Sequence, residues 1–410
     1  MARLIVVLLI LLVCPLTTQA AFMTGLERLA QDPSLIAPGA RVALITNHTG
    51  MTADGRSTLT VLSAIPGVQV RAIFAPEHGL SGRFDQHLGH GHDPASGLPV
   101  YSLYGRSCIP TKEMLAGINT LVFDIQDAGV RYYTYLGTLH RMLMVARTYD
   151  MQVLVLDRPN PLGGDQIEGA VLDPEMVQRS HAKDTSGCRT LTITHPIPTR
   201  HGMTLGELAG MLNQETAIHA SLRVITMLGW QRKDHWPALQ RSWVPPSPNL
   251  KDYTAALLYS AFGPLEATNL SVARGTLEPF HQYGAPWVDS QAVLKHLPAL
   301  PGIAFHPTRF VPTAAGHPYR GQVCQGIRVT ITDENRVNLP VAALHLVKAL
   351  RTAHPTQYRA DSGFRGMVGD PLVWQGVTSA EATPERWVSA WQPALNDFRK
   401  RRKAFLLYPE

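Results

Sequence analysis

The chain reads as α/β, with a mostly parallel sheet in its larger part and a smaller α+β part behind it, and three observations predict this. Short apolar runs at Val42–Ile45, Val70–Phe74, Leu121–Phe123 and Val153–Leu156 are too brief for helices and have the composition of buried parallel strands. Segments of helical spacing separate them. Each run gives way at its carboxyl end to a polar cluster, and an open α/β sheet binds ligands in the crevice outside those ends. Four clusters at four strand ends describe one site floor.

The chain opens on Met1-Ala2-Arg3 and the apolar Leu4–Val13, too short to span a bilayer, followed by the small-residue site Thr18-Gln19-Ala20. This is a secretory signal peptide, with cleavage expected near Ala20 and a secreted, periplasmic destination. Cys14 suggests lipoprotein processing, but Val13 suits it poorly. Nothing later has the length and apolarity of a membrane span. The formal balance is +6, one charge of which is Arg3 of the leader. Such a mild excess suits an anionic polymer without demanding one, and it gives no sign of a nucleic-acid partner. Cys108, Cys188 and Cys324 remain after the leader; their spacing allows one bridge and suggests no metal site.

Gly25–Gln31 has the pattern of a short helix, and Pro38-Gly39 turns the chain into the first strand. Arg56–Ala64 is the expected crossover helix, stopped by Pro66-Gly67 before strand two. The Gly- and His-rich stretch between Gly79 and Tyr104 is long enough to be a functional loop. Thr111–Ala116 is expected to be helical before strand three. Thr134–Tyr149, with Leu136, Leu139, Leu143 and Val145, has helical spacing and leads to strand four. The polar stretch from Gln178 to Leu191 reads as an exposed insertion. Thr204 and Glu207 form a capping box at the start of the next helix, and Leu222–Thr226 is a further strand. Pro245-Pro246-Ser247-Pro248-Asn249 is stiff and marks the boundary, giving a leader at 1–20, a catalytic part at 21–250 and a smaller part at 251–410 that completes the cleft. Gly326–Thr332 and Val341–Arg351 supply a strand and a helix to that smaller part.

Among the strand-end groups, Glu77 stands out. It lies between Pro76 and His78 with Gly79 and Gly82 behind it, and a carboxyl in a partly desolvated pocket is suited to general-acid work. The plainer reading is a helix-capping or loop-bracing carboxylate, and His78 suits a backbone hydrogen bond. Asp124, Gln126, Asp127 and Arg131, backed by Tyr132, Tyr133 and Tyr135, have the inventory of a sugar site: bidentate acceptors for hydroxyls and aromatic planes for pyranose faces. An Asp127–Arg131 pair capping a helix serves equally well for those two. Asp157-Arg158-Pro159-Asn160 is either part of the same floor or a turn with an internal ion pair, and Glu168 is a second carboxylate within reach of the cleft. No G-x-G-x-x-G or G-x-x-x-x-G-K-[ST] cradles a phosphate, no G-x-S-x-G forms an esterase elbow, and no cofactor is expected. His87, His90 and His92 lack carboxylate support as metal ligands, so no metal site is assigned.

Read together, the strings LITNHTG, FAPEHGLSG, LVFDIQDAGVRYYTYLGTL, VLDRPNPLGG, PIPTRHGMTLGELA, WVPPSPN and LEATNLSVARGT, in this order from Leu44 to Thr276, resemble the NamZ-type exo-β-N-acetylmuramidases, a family formerly known only as a domain of unknown function. The resemblance implies a Rossmann-like domain joined to a smaller carboxyl-terminal one. It also implies hydrolysis of terminal N-acetylmuramic acid from the non-reducing end of peptidoglycan-derived saccharides or muropeptides. The family's catalytic glutamate falls on Glu77. Asn47, His201, Asn249, Glu266, Asn269 and Arg274 join the binding candidates, with Arg274 preferred over Arg131 for the lactyl carboxylate. One departure matters: the family's Ser-Glu-Gly-Arg-Gly-Thr is Ser271-Val272-Ala273-Arg274-Gly275-Thr276 here. Loss of that glutamate is the feature that favours the alternative, a non-catalytic muropeptide-binding protein. The second catalytic group is Asp127, Glu168 or the substrate's own acetamido oxygen.

Overall fold

Every second residue of each central strand faces the same side, and this alternation builds three layers. The computed structural model describes residues 21–409 except 83–88, 107, 185, 372, 374, 375 and 377–382; the expected leader and His87 lie outside the described residues. On one face of the sheet Val42, Leu44, Val122, Leu154 and Leu156 pack with Leu26, Leu29, Val61 and Leu62 of α1 (Gly25–Gln31) and α2 (Thr58–Ser63). On the other, Ala43, Ile45, Phe123, Val153 and Val155 meet Leu136, Leu139 and Leu143 of α3 (Thr134–Thr148) and Leu208, Met211 and Leu212 of α5 (Leu205–Glu215). Each such fully buried leucine contributes about 2 kcal/mol of transfer free energy.

The seven-stranded sheet runs β3-β4-β2-β1-β5-β6-β9. Its strands are β1 (Arg41–Thr46), β2 (Gln69–Ala75), β3 (Gly91–His92), β4 (Pro99–Ser102), β5 (Thr120–Asp124), β6 (Gln152–Leu156) and β9 (Ser221–Ile225). All pairings are parallel except that of the short edge strand β3. Counting the parallel strands alone in chain order gives 3-2-1-4-5-6, the Rossmann order, with its switch point between β1 and β5. β7 (Glu168–Val171) and β8 (Pro198–Arg200) form a separate antiparallel pair.

The later part of the chain holds an antiparallel sheet of β10 (Gln282–Ala285), β12 (Cys324–Ile331) and β11 (Ile303–Phe310), covered by α6 (Tyr253–Phe262), α7 (Ser290–Leu294) and α8 (Leu339–Ala353). Its end returns to the first part. Past α11 (Gln392–Arg402), Tyr408 Oη donates to Asp157 Oδ2 at 2.5 Å and accepts from Met227 N at 2.9 Å, while Leu407 N donates to Glu207 Oε1 at 2.9 Å.

Two expected elements differ. Residues 112–117 form turns and no helix: Leu115 N and Ala116 N donate to Lys112 O and Glu113 O, three residues back, and left-handed Gly117 ends the run. The stretch expected to be an exposed insertion is anchored: α4 (Pro174–His181) leads into it, Cys188 is bonded to Cys108, and the buried Arg141 guanidinium binds Gly187 O and Thr190 Oγ1. Its polar residues meet partners on α3, so a polar composition misreads as exposure.

Candidate active site

Glu77 follows β2 in a turn that two consecutive left-handed residues make possible, His78 at φ 72° and Gly79 at φ 71°. A non-glycine residue in that region is uncommon, and histidine is among the side chains that tolerate it best. The turn carries the half-buried Glu77 across to the start of α3, where Thr134 Oγ1 donates to Glu77 Oε2 at 2.7 Å. Close packing fixes the neighbouring segment as well: a Cβ on Gly82 would lie 1.9 Å from the His48 ring.

The floor beside Glu77 is a polar network from the ends of β1 and β5. Asn47 Nδ2 donates to Tyr135 Oη at 2.9 Å, and Asn47 Oδ1 accepts from Thr49 N at 2.9 Å. Gln126 N donates to Thr49 Oγ1 at 2.9 Å, and Gln126 Nε2 to Pro159 O at 2.8 Å. Over this floor runs the proline-rich segment expected to mark the boundary. Pro246 O accepts from Tyr135 Oη at 2.8 Å, Pro245 O lies 2.8 Å from His48 Nε2, and Asn249 is buried beneath it.

Asp127 sits in the same floor and is almost completely buried. Its Oδ2 accepts from Gly129 N at 2.7 Å, and Oδ1 has no hydrogen-bond partner among the described residues. Burial pushes its carboxyl up to about 7, against the opposing pull of the backbone N–H groups of Gly129, Ala128 and Val130. Tyr133 and Tyr135 stand beside it, 4.7 Å apart between ring centroids, and burial pushes both phenols far up.

A row of rings continues from there into the second part of the chain. Tyr133 meets Tyr259 of α6 at 6.3 Å, Tyr259 meets Phe280 at 4.9 Å, and the Arg274 guanidinium lies over Phe280 at 5.3 Å. Arg274 Nε donates to Glu266 Oε1 at 2.9 Å. Burial above all pushes the Tyr259 phenol up, with smaller influences from the charges of Glu266, Arg274 and Glu77. Val272 is buried in the core beside them, and the Glu266–Arg274 pair is formed without a glutamate there.

Several candidates serve the frame instead. Arg131 does not pair with Asp127: its guanidinium is fully buried against the carbonyls of Met367 at 2.6 Å and Val368 at 3.1 Å, at the end of α9 (Ser362–Val368). The turn at Asp127–Gly129 sends the two side chains apart. The Arg158 guanidinium bonds Asp124, with Nε at 2.5 Å and Nη2 at 3.0 Å, while only its backbone N–H reaches the neighbouring Asp157, at 3.1 Å. Asp157 instead caps α5, accepting from Gly206 N at 2.9 Å and Thr204 Oγ1 at 2.7 Å. Asn160 and the buried His201 both brace Met203, through its carbonyl and its N–H. Asn269 is held at 2.7–2.8 Å by the backbone of Gln357 and Arg359.

Glu168 lies on β7, bonded to Arg200 Nη1 at 3.0 Å, among groups that join the two parts of the chain. There His235 Nδ1 lies 2.5 Å from Glu334 Oε1 and Nε2 lies 3.2 Å from Asp165 Oδ1. Among the described residues, no group of His, Cys, Asp and Glu has the arrangement of a metal site. Thr134 and Tyr259 went unnoticed as site residues. Thr134 left a trace, a hydroxyl at the first position of a helix that follows a polar strand end, whereas nothing local marks Tyr259.

Residues 42–254 match the family profile Exo-beta-N-acetylmuramidase NamZ, N-terminal, and residues 257–408 match its C-terminal counterpart. The chain is 34% identical over 391 residues to the peptidoglycan beta-N-acetylmuramidase NamZ of Bacillus subtilis (strain 168), covering 94% of this chain and 91% of that protein. Two crystal structures of DUF1343 family proteins from Bacteroides fragilis NCTC 9343 share the fold. One is 31% identical with a TM-score of 0.83, covering 95% of this chain and 99% of that one. The other is 28% identical with a TM-score of 0.73, covering 95% and 100%.

Proposed function

Since this chain belongs to the exo-β-N-acetylmuramidase NamZ family, we propose that it is a glycoside hydrolase that releases terminal N-acetylmuramic acid from the non-reducing end of peptidoglycan fragments, with Glu77 as general acid. The observation that carries this reading is the placement of Glu77. It is a half-buried carboxyl fixed at the rim of the strand-end floor, with Thr134 on one oxygen. The buried rings of Tyr133, Tyr259 and Phe280 pack into one row alongside and stiffen this side of the site. Glu77 protonates the leaving glycosidic oxygen as the bond to the anomeric carbon breaks.

For the group that attacks that carbon, the surroundings of the two other carboxyls favour the substrate itself. Asp127 is buried and disfavoured as an anion, and Glu168 is engaged by Arg200. The acetamido oxygen of N-acetylmuramic acid therefore closes onto the anomeric carbon, and water opens the resulting ring.

The test is hydrolysis of a chromogenic N-acetylmuramide. Glu77→Gln keeps size and polarity but has no proton to give, so a loss of about 100-fold or more is expected with folding intact. Activity within a few-fold of the wild type removes Glu77 from the role. Secretion to the periplasm is part of the same proposal, supported by the Cys108–Cys188 disulfide, which belongs to an oxidising compartment. The mass of the protein recovered from that compartment checks it: a chain still carrying residues 1–20 contradicts cleavage near Ala20.

A further inference from the structure

The start of α3 combines two features that bear on Glu77. The residue preceding the helix, Tyr133, makes no side-chain cap bond, so this 15-residue helix lacks a local cap. In its place a carboxylate arrives from another strand, and the first helical residue, Thr134, donates its hydroxyl to Glu77 Oε2 at 2.7 Å. A β-branched side chain at the first turn has few rotamers, so the hydroxyl points where the backbone aims it. The 15-residue helix is itself held by leucines buried against the sheet.

We infer that Thr134 is the positioning residue of Glu77: its hydroxyl occupies Oε2, so that Oε1 presents the catalytic proton to the leaving oxygen in one fixed direction. This rests on the reading of Glu77 as the general acid and adds what aims it. A carboxyl left to rotate offers either oxygen in several directions, and misplacement by about 1 Å costs on the order of 100-fold in rate.

The experiment measures kcat and KM on a chromogenic N-acetylmuramide for the wild type, Thr134→Val and Thr134→Ser. Valine keeps the shape and removes the donor. The expected result is a fall in kcat of about 10- to 100-fold with KM nearly unchanged. Serine, which keeps the hydroxyl, restores most of kcat. Thr134→Ala replaces the valine variant if that one fails to fold. A valine or alanine variant with wild-type kcat overturns the inference, as does one that loses thermal stability alone. Failure of the underlying reading looks different: Glu77→Gln remains active, whatever Thr134 does.

Discussion

His235→Gln takes a charge out of the junction between the two parts of the chain while filling about the same space. The imidazole lies between Asp165 on one side and Glu334 on the other, with the Tyr253 hydroxyl 3.1 Å from Nδ1. Burial alone would lower its pKa, but the hydrogen bonds to Asp165 and Glu334 outweigh this and raise it from 6.5 to about 9. A pKa raised by folding gives stability that is fully present below the unfolded value, about 6.5, and is lost as the pH climbs through 9. The gap of about 2.5 units corresponds to about 3 kcal/mol, an upper limit because the ring keeps some contact with solvent. Asp165 and Glu334 act in the opposite window: their folded pKa values lie below the ordinary ones, since the bonds to His235 outweigh burial, so their share is lost as the pH falls. Urea unfolding followed by tryptophan fluorescence from about pH 6 to pH 10 reads the effect. The wild type should lose up to about 3 kcal/mol more than His235→Gln over that range. Parallel curves for the two proteins refute the argument and leave the junction to its apolar contacts.

Two further outcomes are expected. Arg131→Met strips the donors from the carbonyls of Met367 and Val368, so urea unfolding should show a loss of about 3 kcal/mol while KM is little changed; a raised KM with unchanged stability returns Arg131 to the substrate. If the acetamido oxygen is the nucleophile, replacing the acetyl group by mono-, di- and trifluoroacetyl should lower kcat progressively, by on the order of 100-fold at the end of the series; a flat series assigns the attack to water or to a carboxylate of the protein.

Most of the frame is written locally and was readable. The four runs that end in polar clusters are β1, β2, β5 and β6, and Thr204 with Glu207 forms the capping box expected of them. Partner choice was harder, because it is settled at long range. Arg131 is 235 to 237 residues from the carbonyls it binds, and Arg158 passes over its neighbour for Asp124, 34 residues back. An acid and an arginine close in sequence look like a pair only until the turn between them is known. Glu77 was legible as a candidate because the strand end, the flanking proline and the glycines all lie within a few residues of it. Thr134 and Tyr259 were not, since each becomes a site residue only when α3 and α6 are brought against the β2 turn.

The return of the last residues to the first part of the chain has a consequence for how the protein is made. Burial pushes the Asp157 carboxyl up to about 6, against hydrogen bonds from Tyr408 and Thr204 that favour its charge; it also anchors the start of α5. While a ribosome is still translating residue 400, the Rossmann-like sheet has emerged but Tyr408 has not. A nascent chain therefore waits with an acid at the carboxyl end of β6 short of one of its donors. The polypeptide closes the sheet layer with a hydroxyl made 251 residues after the acid it binds, and a stop codon before Tyr408 would send out a protein that holds every described strand yet is unlatched.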